Sequence, residues 1–188
     1  MKKLLLLGML FFFLTGCEKE ELTPDTEAGI SELDFRTSAN KEKMVPLKGE
    51  IIEIPDLFYG YLDCGIPAIQ EPKHYDDIGG NLTHLGNVAG GYGDLDNCRI
   101  EVREGEMYVV ADGSGEIMSA SGDVLRYDGE MWISFSDPAL NGSLFAITGG
   151  TGRWENARGH FAGFFESLED GTLFFGIDGF VTPPGKNK

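Results

Sequence analysis

Three cysteines, three histidines and 31 acidic side chains are the groups with which this 188-residue chain could do chemistry. Their spacing excludes most reactions. Asp94-Leu-Asp96-Asn97 begins like a calcium loop, but the later glycine and glutamate of such a loop are missing. Neither Cys64 nor Cys98 has a histidine at metal-ligand spacing. Gly150-Thr-Gly152 lacks the third glycine and the strand-to-helix setting of a dinucleotide site. No Gly-x-Ser-x-Gly nucleophile elbow occurs. A two-acid glycosidase needs a defined pair of carboxyls, and no spacing singles one out. His74, His84 and His160 are scattered. His84, within an apolar segment, is the candidate polar group of a pocket; a hydrogen-bonded structural histidine is the alternative. No residue is assigned to catalysis, and no metal or cofactor is expected.

The third cysteine carries an address. The chain opens Met1-Lys2-Lys3, runs apolar over residues 4–14 and then reads Leu14-Thr15-Gly16-Cys17. A basic start and a short apolar run make a signal peptide, too short for a permanent membrane span. The four residues ending at Cys17 resemble a bacterial lipobox. Cleavage would leave a lipid-modified Cys17 at the new N-terminus, and its acyl chains would supply the membrane anchor. An ordinary secretory signal containing a cysteine is the alternative.

Glu18-Lys19-Glu20-Glu21 follows at once. It resembles the Lys-plus-acidic export signal by which some Gram-negative bacteria send lipoproteins to the outer face of the outer membrane; a solvated tether is the plainer reading. The expected location is therefore the cell envelope, as an outer-membrane lipoprotein. Residues 17–45 are rich in polar and acidic side chains and read as a flexible tether. Without residues 1–16, 13 basic side chains face 31 acidic ones, a net charge of −18. Such a charge argues against nucleic-acid binding and against docking on anionic headgroups. An oxidising envelope lets Cys64 and Cys98 pair as a disulfide, which would stabilise the fold by about 3–4 kcal/mol. Two buried free thiols are the alternative.

Residues 46–183 have the size of one domain, with 184–188 as a tail. Of the 27 glycines, 24 lie from Pro46 onward, and Pro138 is the lone proline between Pro72 and Pro183. Many glycines and few prolines describe consecutive strands joined by tight turns. The pattern predicts strands at 48–54, 81–88, 97–103, 107–111, 116–120, 131–136, 143–148, 159–168 and 172–181. Turns are expected at 112–115, at Asp128-Gly129, at Asn141-Gly142 and at 169–171. Cys98, Ile100 and Val102 alternate with Asn97, Arg99, Glu101 and Arg103, the period of a half-buried strand. Leu173, Phe175, Ile177, Gly179 and Val181 share a face. Residues 56–80 have no clear period and read as a long loop of the functional or covering kind. Eight or nine strands with hairpin links favour a closed antiparallel β-barrel; a two-sheet sandwich is the alternative.

Ile147-Thr-Gly-Gly-Thr-Gly-Arg-Trp-Glu-Asn-Ala-Arg-Gly-His-Phe161 resembles the Gly-Gly-Thr-Gly-(Lys/Arg)-aromatic-x-x-Ala-x-Gly signature of dirigent proteins and allene oxide cyclases. Gly80-Asn-Leu-Thr-His-Leu-Gly86 is similar to a second strand of their bacterial relatives. The resemblance implies an eight-stranded antiparallel barrel of the calycin-like kind. In it, Gly149, Gly150, Thr151, Gly152, Arg153, Trp154 and Gly159 form a structural corner. Dirigent proteins and the cyclases hold a hydrophobic reactive intermediate in the barrel and steer its ring closure, but their polar pocket motifs have no match here. Three functions stay open. The first is a non-catalytic envelope barrel that binds a small apolar ligand, a glycan or an envelope partner. The second is an isomerase or stereo-directing barrel, and the third a structural or adhesive surface protein.

Overall fold

A computed structural model describes residues 43–185 other than 68 and 169. The expected signal peptide, Cys17, most of the expected tether and the last tail residues lie outside them. Eight strands form a closed antiparallel barrel in sequence order. They are β1 (Val45–Pro55), β2 (His74–Leu82), β3 (Gly86–Arg103), β4 (Glu106–Ser119), β5 (Val124–Ser134), β6 (Gly142–Gly150), β7 (Gly159–Ser167) and β8 (Leu173–Val181). Each strand pairs with its successor. β1 also pairs with β8 from Val45↔Val181 to Glu53↔Leu173, so no edge is left unpaired. The sandwich alternative is set aside.

Two of the expected turns are mid-strand. Asp112–Gly115 lies within β4 and Asp128-Gly129 within β5, in unbroken register with each other: Asp112 opposes Glu130 and Ser114 opposes Asp128. The glycines there serve close approach rather than chain reversal. A Cβ on Gly113 would lie 2.8 Å from Phe145 Cε1, one on Gly115 2.5 Å from the Tyr127 hydroxyl oxygen, and one on Gly129 2.1 Å from the Leu144 carbonyl oxygen. Conversely, the expected strand 81–88 is broken. β2 ends at Leu82, and β3 starts at Gly86 after a turn in which His84 takes φ +65°. The long loop shrinks too, because β2 already begins at His74.

β3 is 18 residues long and runs past β2, whose pairing with it ends at His74↔Asp94, while β4 accompanies it to Arg103. On its outer face Arg99 and Arg103 bridge Glu101, Asp112 and Glu130 at 2.6–3.1 Å. These groups are a third or more exposed, so solvent screens most of their attraction. Val102, expected on the half-buried face, is 70% exposed because the strand end there has no barrel beneath it.

Inside, Leu47, Ile51, Ile117, Leu125, Leu173 and Val181 are each at most 3% exposed. The shared face of Leu173, Phe175, Ile177, Gly179 and Val181 is the inner face of β8. The glycine-rich signature closes the barrel end at which β1 begins. Trp154, fully buried, ends a single 3-10 turn at Gly152–Trp154. The Thr151 hydroxyl accepts the Val124 amide proton at 3.0 Å, and Arg153 Nε donates to Asp123 at 2.7 Å. A Cβ on Gly150 would sit 1.9 Å from the Val124 carbonyl oxygen and 2.9 Å from Trp154 Cβ, so Trp154 reaches its site only over a bare backbone. Gly149 and Gly159 take φ +142° and +153°.

Gly150→Ala should therefore cost about 2–4 kcal/mol of unfolding free energy in urea titration, since backbone must move. Gly122→Ala, in a turn with open space around it, should cost only about 1 kcal/mol through its positive φ.

Candidate functional site

At the opposite end, residues 56–73 fold across the barrel where β1 finishes. Asp56 caps a 3-10 turn at Leu57–Tyr59 by accepting the Phe58 amide proton at 2.9 Å. Leu62 donates to the Glu71 carbonyl at 2.8 Å, and Lys73 to that of Gly60 at 3.0 Å, which folds the segment back on itself. Leu62 and Cys64 are buried in the core, and a disulfide joins Cys64 to Cys98 of β3. The cap is thus tied to the wall at two points, its junction with β2 and this crosslink.

Beneath the cap lies the one inward-facing acid of β1. Alternation from Leu47 sends Leu47, Ile51 and Glu53 inward, while Ile52 and Ile54, each 44% exposed, face out. Glu53 is 5% exposed. Tyr127 of β5 donates its hydroxyl to Glu53 Oε1 at 3.5 Å. Gly93 of β3 makes room for the pair: a Cβ there would stand 3.3 Å from both Glu53 Oε2 and the Tyr127 hydroxyl oxygen. Tyr75 of β2 is 1% exposed, and its hydroxyl has no hydrogen-bond partner among the described residues.

Glu53, Tyr75 and Tyr127 together line a cavity of about 20 Å³, walled by Phe145, Phe161 and Phe175. That volume admits one water-sized group. A smaller void of about 10 Å³ shares Leu95 and Met131 with it and reaches Glu71 of the cap.

Burial sets the electrostatics. Loss of hydration raises the Glu53 carboxyl to about 7, with the Tyr127 hydrogen bond opposing. Burial likewise raises Glu71. The Tyr75 phenol is pushed up by burial first, then by Glu71 and Glu53. The Tyr127 phenol rises for the same reasons, burial and then Glu53. At neutral pH the site is a half-titrated carboxyl beside two protonated phenols, in an aromatic box. It can offer hydrogen bonds of either sense to a polar group and apolar contact to the rest of a molecule.

The sequence candidates fall elsewhere. His84, expected as the polar pocket group, is exposed in the β2–β3 turn and lines neither void; the period-two strand that would have turned it inward ends two residues earlier. His74 faces outward, its Nδ1 2.6 Å from Asp94 Oδ1 and its ring against Tyr59 and Tyr92. Gly149, Gly150, Thr151, Gly152, Arg153, Trp154 and Gly159 form the far corner and none lines the cavity. Glu53 was the missed residue. Counting by two from Leu47 would have placed it inside, against the lure of Ile52 and Ile54.

No family model matches the chain, and no curated protein matches it. Among solved structures, the chain is similar to that of the pterocarpan synthase dirigent protein GePTS1. The identity is 15% and the TM-score 0.39, over 80% of this chain and 91% of that one. No residue role is taken from that likeness.

The sign of the Glu53 contribution to stability follows from its shift. Its pKa is raised on folding from 4.5 to about 7. Below 4.5 both states hold the proton. Between 4.5 and 7 the unfolded chain loses it while the folded one keeps it, so stability falls as pH rises through that window, by about 3 kcal/mol in all. Denaturant midpoints from pH 4 to 8 should show this slope, and Glu53→Gln should remove it.

Proposed function

We propose that this chain is a lipid-anchored cell-envelope protein whose barrel binds one small, mainly apolar molecule by a single polar end. The observation that carries the binding reading is the placement of Glu53, Tyr75 and Tyr127 around one void in an otherwise apolar interior. A buried carboxyl and an unpartnered buried hydroxyl each cost folding free energy. An apolar core of the same volume would be more stable, so a ligand that satisfies both groups gives them a use. The anchor reading rests on Met1-Lys2-Lys3, the apolar run and Leu14-Thr15-Gly16-Cys17. The acidic run after Cys17 supports export to the outer membrane.

A second reading, acid–base steering of a reactive apolar substrate, is favoured by the Glu53 pKa of about 7, which suits proton transfer at neutral pH. The cavity of about 20 Å³ favours binding over turnover of a large substrate.

Two measurements test this. Cys17→Ser should abolish palmitate labelling and move the chain from the membrane to the soluble fraction; unchanged fractionation would sink the anchor. Native mass spectrometry of the full chain extracted from envelopes should retain a reproducible small adduct that Glu53→Gln loses. An adduct that survives the substitution would place the ligand elsewhere.

A further inference from the structure

The polarity of the pocket narrows the ligand class. Among the residues that line the two voids, Glu53 and Glu71 are buried or part-buried acids, Asp94 is an acid already held by His74 on the outer face, and none is Lys, Arg or His. Glu53 carries the one deeply buried carboxyl with access to the larger void. Two phenol oxygens share that void, one of them without a partner. The aromatic faces of Phe145, Phe161 and Phe175 complete it. Acids, phenol oxygens and ring faces are all complementary to a cation. An anion would meet no positive charge there, and a neutral alcohol would use one or two of the acceptors.

We propose that the barrel selects an organic amine, with its ammonium group in the cavity between Glu53, Tyr75 and Tyr127. This rests on the binding reading above and specifies its ligand. An ammonium is about the size of a water molecule and carries three donors, matched by three oxygens on three strands. Its charge also answers the buried carboxylate, which has no cationic partner among the lining residues. The alkyl body lies toward the smaller void, and Met131, unbranched and common to both voids, is the side chain that moves to admit it. The chain's formal charge of −16 draws cations to the barrel from outside.

Proton balance makes the proposal testable. Below pH 7 an entering ammonium meets a neutral Glu53, which ionises and releases one proton to solvent; above it, the carboxylate is already present. Tyr127 of β5, Tyr75 of β2 and Glu71 of the cap are the titratable groups that face the two voids, and the Asp94 carboxylate of β3 is engaged by His74 on the outside. The phenols stay protonated in this range, so affinity rises with pH as Glu53 ionises.

The test is calorimetry on the full, detergent-solubilised chain with n-butylamine, 1-butanol and butyrate as probes, in high salt to screen surface attraction. Titration in two buffers of different ionisation enthalpy counts the protons. n-Butylamine should bind most tightly, with about one proton released at pH 6 and almost none at pH 9. Glu53→Gln should weaken it at least about thirtyfold, a loss at least about tenfold larger than any change in 1-butanol binding. Should Glu53→Gln fail to fold, Tyr75→Phe, which removes an unpartnered hydroxyl, should weaken the amine about threefold to tenfold. Butanol binding as tightly as the amine, or amine binding without proton release at pH 6, overturns the amine assignment and leaves the pocket standing. No binding of any probe to the folded chain, a pocket that holds water only, overturns both.

Discussion

The pairing of β1 with β8, unbroken from Val45↔Val181 to Glu53↔Leu173, turns a row of hairpins into a closed wall. Each strand then has two neighbours and one face that water cannot reach. Closure creates the interior, and the interior decides what the inward residues can be. It also brings together residues far apart in the chain: Glu53, Tyr75 and Tyr127 share a cavity because β1, β2 and β5 belong to one ring.

The same constraint explains where the glycines went. A small barrel filled with aromatic rings needs bare backbone opposite them. Gly113 faces the Phe145 ring, Gly115 the Tyr127 phenol, and Gly93 the Glu53–Tyr127 pair. Gly150 does the same for Trp154 at the far end. The two ends of the barrel thus differ in kind. One is plugged by a fully buried indole held on a glycine corner. The other is covered by a cap tied to β3 through Cys64 and Cys98, with the polar groups directly below it.

Much of the architecture was legible because hydrophobic alternation and turn residues act locally. Strand class, antiparallel order and the inner face of β8 all follow from neighbours in sequence. The misreadings share one cause. Asp112–Gly115 and Asp128-Gly129 are good turn sequences, and local propensity cannot tell a glycine that reverses the chain from one that yields space to Phe145 or Tyr127. In the other direction, a strand-like spacing of Leu82, Leu85 and Val88 concealed a reversal at His84, whose left-handed φ is a backbone fact. Glu53 was missed because Ile52 and Ile54 compete with it for the inner face; alternation from Leu47 favours Glu53, and the pairing of β1 with β8 and β2 fixes that choice.

By itself the sequence determined the class of fold. Glycine-punctuated alternation is a property of consecutive residues and needs no partner to be read, and the run that ends at Cys17 is the kind of local pattern on which the proposed address rests. The tertiary structure alone decided the candidate site. Glu53 stands out by losing its hydration, and burial is a property of what surrounds a residue. Glu53 is one of 31 acids in the chain, and only the ring of strands, the space left by Gly93 and the cap above it set it apart from the rest.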